Sequence, residues 1–368
     1  MRAMAESARR AGYRVAAIDA FGDLDLLAVA DHVVRCAPYS ADRAARLAGG
    51  LPSDAVAYNS NFENNPTAVA RLARGRELWG NRPNVLAGVR NPLTLARSLA
   101  RLGFATPITR ASAPAARPSD PITQWLLKPR RSGGGHAIIP WSGRKRVPRR
   151  SILQERLRGI PASIIFAADG EHAVPLGLSR LLTGDRRVGA AGYRYSGNVL
   201  AAAGDPMLPR DEELLVRVTA LATAVTRAFG IAGVNGIDFI ARAGVPYPVE
   251  VNPRYTASME LAERHYGISI FAAHASALHG ELTDFDLAHA RARSRGALGK
   301  AIVYARRDVT VGDTTAWLSD DTVRDIPPPQ TRIPRGRPIC TVFATGRDGA
   351  SCYGNLIARA ERVYGAIA

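Results

Sequence analysis

Lysine is scarce in this chain of 368 residues. Lys128, Lys145 and Lys300 are the three lysines among 49 basic residues, so the other 46 are arginines. The arginines are spread along the whole chain, and we interpret the formal net charge of +17 mainly as a coding bias toward arginine. A nucleic-acid partner is the open alternative. Because the compact ammonium of lysine differs from the planar guanidinium, each retained lysine is a candidate for a specific role.

Cysteine and long apolar segments are also scarce. Cys36, Cys340 and Cys352 lack the spacing of metal ligands, which predicts buried thiols in a reducing compartment. The first residues are charged from Arg2 onward and contain no apolar core of a signal peptide. The longest stretch without a formal charge has 16 residues, 265–280, fewer than the roughly 20 that a membrane span needs. We therefore expect a cytoplasmic protein without a membrane partner.

What the chain does contain is enough apolar sequence for two or three packed units. Hydrophobic residues make up 46% and charged residues 22% of the chain. In the first hundred residues helical and strand patterns alternate, which predicts a parallel sheet covered on both faces. The helical patterns cover residues 1–11 and 41–49, and the strand patterns end near Asp19 or cover residues 32–37 and 55–59. Such domains usually open with a strand, so we expect the first strand to be lost or to lie upstream.

The rest of the chain gives further element predictions. The Pro, Ala and Ser content of residues 111–121 predicts an exposed connection. Strands are predicted over residues 125–129, 137–140, 151–157, 162–167 and 339–344, and a final helix over residues 353–364. The clearest helix covers residues 211–229, with Asp211 as its expected N-cap and Gly230 as its end.

The most informative segment is a predicted hairpin over residues 236–254 with Gly244 in its turn. If the hairpin is symmetric about Gly244, Asp238 lies opposite Glu250, and Asn252 shares a face with Glu250. Facing like charges destabilise a sheet unless something neutralises them, and Mg²⁺ prefers a few carboxylates together with substrate phosphates. The hairpin is therefore a candidate Mg²⁺-nucleotide site, the alternative being ordinary surface acids.

A second candidate element follows Lys128. The loop Ser132, Gly133, Gly134, Gly135 lets backbone N–H groups approach phosphate oxygens, and the ammonium supplies a point charge. The pattern is neither a Walker A loop nor a dinucleotide-binding fingerprint. By itself it also fits a hairpin tip, and its place before an acidic hairpin makes it more specific.

The order of three elements resembles the ATP-grasp superfamily of carboxylate–amine ligases. These elements are the lysine strand with its glycine loop, the strand and hinge over residues 152–159, and the hairpin ending in Glu250-Val251-Asn252-Pro253-Arg254. The resemblance implies an α/β ATP-grasp fold: an N-terminal parallel α/β domain over residues 1–110, a small α+β lid over 111–157, and an α+β catalytic domain with an antiparallel sheet over 158–368. The acidic ribose ligand of the family is not evident around residues 161–163.

The resemblance also implies roles for individual residues. ATP and Mg²⁺, with Mn²⁺ as a substitute, are the implied cofactors, and small-molecule carboxylates and amines are the implied substrates. The family pattern assigns the metal to Asp238, Glu250 and Asn252, and catalytic contacts with phosphate to Arg254, Lys128 and Arg194. Nucleotide binding is assigned to Lys128, Ser132, Gly133, Gly134, Gly135, Gln154, Glu155 and Leu157. An acyl phosphate forms without any protein nucleophile, and a homodimer is a possible assembly.

Four short motifs look like the ATP-grasp proteins of one-carbon cofactor pathways. They cover residues 6–12, 19–25, 61–64 and 252–258. Archaeal relatives of that group join glutamate to tyramine in methanofuran synthesis, and bacterial relatives occur in methylotrophs that use methylofuran and tetrahydromethanopterin. The narrower resemblance implies that glutamate is added to an amine.

Several side chains keep two interpretations. Arg194 and Tyr195 lie in a Gly-flanked stretch that can cover the γ-phosphate or be a surface loop. Glu63 and Asn64 can reach an amine substrate or serve the fold. We interpret His265, His274 and His279 as helix residues rather than ligands, and Arg144, Arg146, Arg149 and Arg150 as a solvated face of the lid. A nucleic-acid-binding protein and a nucleotide-binding regulator are the alternative functions.

Overall fold

The computed structural model describes residues 1–113, 124–143 and 146–367. Its N-terminal region alternates short helices and strands as predicted: α1 (Arg2–Arg10), β1 (Ala16–Asp19), α2 (Leu24–Val29), β2 (His32–Arg35), α3 (Ala41–Ala48), β3 (Ala55–Ala57), α4 (Pro66–Leu72), β4 (Glu77–Trp79), α5 (Pro83–Val89) and α6 (Pro92–Arg101). Strands β1 and β2 pair in parallel, and β3 and β4 do the same. The predicted parallel pairing is confirmed, but the strands form two separate pairs instead of one sheet.

A small antiparallel sheet follows. It contains β5 (Thr109–Arg110), β6 (Trp125–Pro129), β7 (Ile139–Trp141) and β8 (Ser151–Glu155), in the order β5-β8-β6-β7. Strand β8 ends two residues before the predicted boundary at Leu157, so Leu157 lies in the connection to the next sheet. Most of the predicted connection over residues 111–121, together with Arg144 and Lys145, lies outside the described residues.

The large sheet carries most of the remaining chain. The strands after β8 are β9 (Ile160–Asp169), β10 (Ala173–Thr183), β11 (Tyr195–Ala201), β12 (Ala232–Arg242), β13 (Val245–Asn252), β14 (Ala297–Tyr304), β15 (Val309–Thr310), β16 (Val323–Arg324), β17 (Arg332–Ile333) and β18 (Pro338–Gly346). Eight of them form one sheet in the order β13-β12-β9-β10-β11-β14-β18-β16, and its neighbouring strands are antiparallel. Strands β15 and β17 form a separate pair.

Five helices cover the large sheet: α7 (Asp211–Phe229), α8 (Met259–Tyr266), α9 (Ile270–Leu278), α10 (Leu287–Arg293) and α11 (Gly349–Ala366). Helix α7 has the predicted bounds, and its buried stripe Leu214, Val218, Leu221 and Val225 packs with Ile164 and Phe166 of β9. The prediction that Asp211 caps it is wrong. Arg210 is the N-cap, and the Asp211 carboxylate instead pairs with the buried Arg291.

Two further sequence predictions are tested by the fold. The three cysteines are buried and unpaired, as expected from their spacing. In the part of the chain that the structure describes, no helix is both long and apolar enough to cross a membrane. The division into domains over residues 1–110, 111–157 and 158–368 stays a prediction.

Candidate active site

The hairpin of β12 and β13 places two carboxylates side by side. Asp238 is the register partner of Glu250, and Gly236 is the partner of Asn252. The turn contains Ala243 and Gly244, whose φ angles of 51° and 76° suit a tight two-residue hairpin loop. Near this turn the register of the two strands is shifted by one residue from the predicted register. A bulge at Val249 then restores the predicted register, so that Asp238 is paired with Glu250 as predicted.

The two carboxylates are in different electrostatic environments. Burial, followed by the charge of Glu250, raises the pKa of Asp238 to about 6. Burial also opposes the ionisation of Glu250, but the charges of Arg90 and Lys128 hold the pKa of Glu250 below its ordinary value. The amide of Asn252 donates to Asp238 Oδ2 at 3.1 Å. The pair is thus held together by neighbouring donors and cations, without which the facing charges would repel.

Arg90 is the site residue that sequence reasoning missed. It follows helix α5, and its Nη1 donates to Glu250 Oε1 at 2.6 Å and to the Val251 carbonyl at 2.8 Å. Its Nη2 donates to Asn64 Oδ1 at 2.9 Å and to the Ser132 carbonyl at 2.7 Å. One guanidinium therefore joins the N-terminal region, the glycine loop and the acidic hairpin. With 46 arginines in the chain, no compositional contrast could single it out.

Lys128 on β6 lies within the site, as predicted. Its Nζ donates to Gln154 Oε1 on β8 at 2.8 Å and to the Val249 carbonyl at 3.4 Å. Burial lowers the pKa of Lys128, and the charge of Glu250 acts in the opposite direction. Gln154 is itself buried and donates to Thr109 Oγ1 at 3.3 Å. Lys128 and Gln154 thus form one hydrogen-bonded pair on neighbouring strands.

The glycine loop is packed against the segment before β11. The Tyr195 amide donates to the Gly134 carbonyl at 2.9 Å. A Cβ atom on Gly135 would lie 1.7 Å from the Tyr193 carbonyl oxygen, so this position requires glycine for close backbone approach. Gly133 lies near Ser60 and Glu63 of the N-terminal region. The loop therefore lies between the N-terminal region and the large sheet, beside the carboxylates.

Arg254 follows β13 and is paired with an acid from the N-terminal region. Its Nε lies 2.9 Å from Oε1 of Glu63, a side chain with no solvent exposure. Its Nη1 donates to the Tyr255 carbonyl at 3.0 Å, and its Nη2 donates to Asn252 Oδ1 at 3.4 Å. Glu63 and Asn64 thus contact the two site arginines, Arg254 and Arg90 respectively, which favours a supporting role over direct contact with substrate.

The hinge residues border the same space as the carboxylates. Glu155 ends β8, and its amide donates to the Ile108 carbonyl at 2.8 Å. The Ile108 amide in turn donates to Glu155 Oε2 at 3.1 Å. Glu155 and Leu157 both line the chamber that contains Lys128 and Asp238. Their contact with the adenine ring stays a prediction.

Other predicted residues lie away from the carboxylates. Arg194 donates to the Gly336 carbonyl and stacks 5.1 Å from the centre of the Tyr304 ring, so this arrangement does not bring it to Asp238 and Glu250. His265 and His274 lie in helices α8 and α9, and His279 directly follows α9. Arg146, Arg149 and Arg150 are exposed, in agreement with a solvated face.

The carboxylates, Lys128 and the hinge residues line one chamber of about 610 Å³ in the described part of the chain. Its lining includes Lys128, Leu157, Asp238, Glu250, Asn252 and Arg254. A volume of this size is ordinary for a small-molecule site. The chamber is bounded by both antiparallel sheets and by the N-terminal region, so its shape depends on all three parts of the chain.

The donor set at the carboxylates fits a hard divalent cation. It consists of two carboxylates and one amide oxygen, and the described residues contain no group of three His, Cys, Asp or Glu that could enclose a metal alone. Mg²⁺ binds in this way, through one or two carboxylates, with its other positions filled by waters and substrate phosphates. The residues present therefore fit Mg²⁺ shared with a nucleotide better than a closed structural metal site.

A family model described as an ATP-grasp domain matches residues 89–258. This part of the chain is therefore similar to an ATP-grasp domain. The matched range runs from the residue before Arg90 to Ser258 and includes every predicted metal ligand. The prediction of an enzyme of the ATP-grasp ligase class is confirmed by this match. No curated protein matches the chain.

Solved structures resemble nearly the whole chain, beyond the range that the family model matches. Pyruvate carboxylase from Rhizobium etli superposes with a TM-score of 0.73 at 16% identity, over 98% of this chain and 38% of that longer enzyme. The biotin carboxylase domain of Hydrogenobacter thermophilus 2-oxoglutarate carboxylase, in complex with MgADP and bicarbonate, gives 0.68 at 14% identity, over 99% and 87% of the two chains. L-amino acid ligase from Bacillus licheniformis gives 0.65 at 15% identity, over 98% and 95%. The ATP-grasp fold predicted from the sequence is thereby confirmed.

Proposed function

We propose that this protein is an ATP-dependent carboxylate–amine ligase that works through an acyl phosphate. The observation that carries the proposal is the Asp238–Glu250 pair, which lies in one chamber with the cationic side chains of Lys128 and Arg254 and is paired with Arg90 through Glu250. Two adjacent acids suit a phosphate-bound Mg²⁺, and the cations suit the phosphates themselves.

Different residues of the chain would bind the metal, the phosphates and the adenine. Asp238, Glu250 and Asn252 would hold Mg²⁺, or Mn²⁺ as a substitute. When bound, the cation supplies neutralisation and orientation of the β- and γ-phosphates. Lys128 donates to phosphate oxygens, Arg90 holds Glu250 in place, and Glu155 and Leu157 border the adenine. Arg254 offsets charge on the transferred phosphoryl group, and Glu63 forms an ion pair with its guanidinium.

The chemistry then needs no nucleophile from the protein. A substrate carboxylate oxygen attacks the γ-phosphorus, the bond to the ADP oxygen breaks, and an acyl phosphate and ADP are formed. An uncharged amine attacks the acyl carbon and displaces inorganic phosphate, and the nitrogen loses one proton as the amide forms.

The substrate class follows from the narrower resemblance. We propose glutamate as the carboxylate donor and an amine of the methylofuran or methanofuran type as acceptor. One structure that shares this fold is named an L-amino acid ligase, which supports an amino acid as a substrate. A homodimer remains part of the proposal, because the Hydrogenobacter thermophilus domain, which shares this fold, is a dimer.

The test is ADP release measured against a matrix of carboxylates and amines. The wild type should release ADP only when Mg²⁺, ATP, a carboxylate and an amine are all present. Glu250→Gln should abolish this release, while Glu212→Gln, an exposed acid in the first turn of α7, should leave it unchanged. A Glu250→Gln protein with full activity would exclude the proposed mechanism. The absence of amide across glutamate and tyramine-like amines would exclude the narrower substrate proposal only.

A further inference from the structure

The chamber continues well beyond the metal carboxylates. Asp238 lies on β12, whereas Lys300 lies on β14, four strands further along the sheet. Neighbouring strands are about 4.8 Å apart, so the two positions are separated by roughly 19 Å along the sheet. Asp325 directly follows β16, two strands further still, and also lines the chamber. A substrate therefore has room to extend away from the reacting groups.

This far end rests on a buried network of ion pairs. Arg2 and Glu260 are each 1% exposed, and their closest nitrogen and oxygen atoms are 2.5 Å apart. Lys300 Nζ lies 2.7 Å from Glu260 Oε2 and donates to the Ala257 carbonyl at 3.2 Å. Arg2 also pairs with Glu6, Asp25 and Asp325. Arg2 and Lys300 are thus directed at acceptors of the protein, and acids of the network balance their charges.

Asp325 differs from these partners in its exposure. Its side chain is 35% exposed, although it accepts from Arg2 Nε at 3.1 Å and from Thr341 Oγ1 at 2.5 Å. A carboxylate has about four acceptor positions, so two remain after these bonds. Of the acids in the network, Asp325 is the one that lines the chamber. Asp325 therefore presents a negative charge and free acceptor positions to the chamber.

The backbone fixes Asp325 in this position. The Asp25 carboxylate accepts from the Asp325 amide at 2.8 Å and from the Ile326 amide at 3.1 Å. Asp325 itself has a left-handed backbone with φ of 57°. Asp and Asn tolerate that conformation better than most side chains. Burial opposes its ionisation, but the charges of Arg2 and Lys300 hold the pKa of Asp325 below its ordinary value, so the carboxylate is charged at neutral pH.

We propose that Asp325 binds a substrate ammonium group at the end of the chamber remote from Asp238 and Glu250. The inference rests on the proposed function. An ammonium group has three donors and one positive charge, which matches an ionised carboxylate with two free acceptor positions. The ammonium is not the reacting nitrogen, because an attacking amine must be unprotonated and must lie near Arg254. It is a second group, carried either by the carboxylate donor or by the amine acceptor.

Hydroxylamine distinguishes the two sources. It is uncharged at neutral pH and traps an acyl phosphate as a hydroxamate, so the donor half of the reaction can be measured without the natural amine. Wild type and Asp325→Asn are compared with glutamate and with glutarate, which lacks the α-amino group. If the donor carries the ammonium, Asp325→Asn raises the KM for glutamate roughly tenfold to a hundredfold and leaves the KM values for glutarate and ATP unchanged.

The second arm measures amide formation with the donor held at saturation. If the acceptor carries the ammonium, Asp325→Asn raises the KM for a diamine and leaves that for tyramine, which has one amino group, unchanged. Thr341→Val is the matched control, because it removes one bond to the carboxylate and keeps its charge. A substitution effect of the same size on glutarate and glutamate, and on tyramine and the diamine, would overturn the proposal. So would an equal effect of Thr341→Val.

The same assays distinguish a failure of the proposed ligase function from a failure of the proposed ammonium site. If the wild type forms neither hydroxamate nor amide, the ligase proposal is wrong. If the wild type forms both and Asp325→Asn changes no KM, only the ammonium site is wrong. Because asparagine suits the left-handed backbone at this position, Asp325→Asn should keep the thermal unfolding midpoint within a few degrees of wild type.

Discussion

Arg90 and Glu250 form an ion pair that joins two distant parts of the chain, with Arg90 Nη1 2.6 Å from Glu250 Oε1. The arginine side chain is 8% exposed. A cation from the N-terminal region therefore neutralises the Glu250 carboxylate, whose charge a divalent metal would also neutralise. Arginine and metal are competitors for the same oxygen atom, and the competition can be measured.

We predict that Arg90→Ala lowers the free energy of unfolding by roughly 3 kcal/mol in the absence of metal, because Glu250 then faces Asp238 without its partner. Millimolar Mg²⁺ should raise the thermal midpoint of Arg90→Ala more than that of wild type, since the cation replaces the lost charge. Differential scanning calorimetry with and without Mg²⁺ measures both effects. Arg97→Ala, an exposed arginine on α6, is the control. Equal Mg²⁺ responses of all three proteins would contradict the competition.

A second prediction concerns the pKa of Asp238, which is raised from 3.8 to about 6. A carboxyl group whose pKa is higher in the folded state costs stability when it is ionised, so this cost is present above pH 6 and vanishes below pH 4. Asp238→Asn should therefore be more stable than the metal-free wild type at pH 7.5, by roughly 2–3 kcal/mol. The difference should shrink as the pH falls from 6 to 4.

Urea unfolding at pH 7.5, 5 and 4 measures this difference. Asp284→Asn, at an exposed position, should show no pH-dependent gain. An Asp238→Asn protein that is less stable than wild type at pH 7.5 would show that the ionised carboxylate stabilises the fold.

Metal binding has the opposite pH dependence, because Asp238 must lose its proton to ligate, so the Mg²⁺ affinity of the wild type should fall as the pH drops below about 6.

A third prediction concerns the glycine loop. Gly135→Ala would place a methyl group 1.7 Å from the Tyr193 carbonyl oxygen, so the loop must move away from the segment before β11. We expect the KM for ATP to rise at least tenfold. Gly143→Ala also introduces a side chain at a positive φ, of 78°, but meets no atom within 4 Å. It should therefore leave the KM for ATP near the wild-type value, and similar KM values for the two variants would show that the close approach is irrelevant.

The parts of the site that could be predicted are those with a local pattern. Strand alternation and a glycine turn placed Asp238 opposite Glu250, and the rarity of lysine drew attention to Lys128. Arg90 has no local pattern, because its role depends on contacts with residues 26, 42 and 160 positions away. Arg194 was expected near phosphate, yet its guanidinium contacts Gly336, which is 142 positions away in sequence.

The same distinction applies to the fold. Helix α7 has the predicted bounds because its apolar stripe is strongly periodic. Its cap was mispredicted because Asp211 pairs with Arg291, 80 residues later. Three of the four strands β1 to β4 were recognised individually and β4 was missed, and their division into two separate sheets depends on packing that no single segment determines.

The bulge at Val249 has a mechanical consequence. The extra residue leaves the regular pairing of β12 and β13, and its carbonyl accepts from Lys128 of the small sheet at 3.4 Å. The bulge in β13 thus provides the acceptor of a hydrogen bond between the two sheets. If Lys128 transfers its hydrogen bonds to a phosphate, the hydrogen bond to the Val249 carbonyl is lost. Nucleotide binding would then change how firmly the small sheet is fastened to the large one.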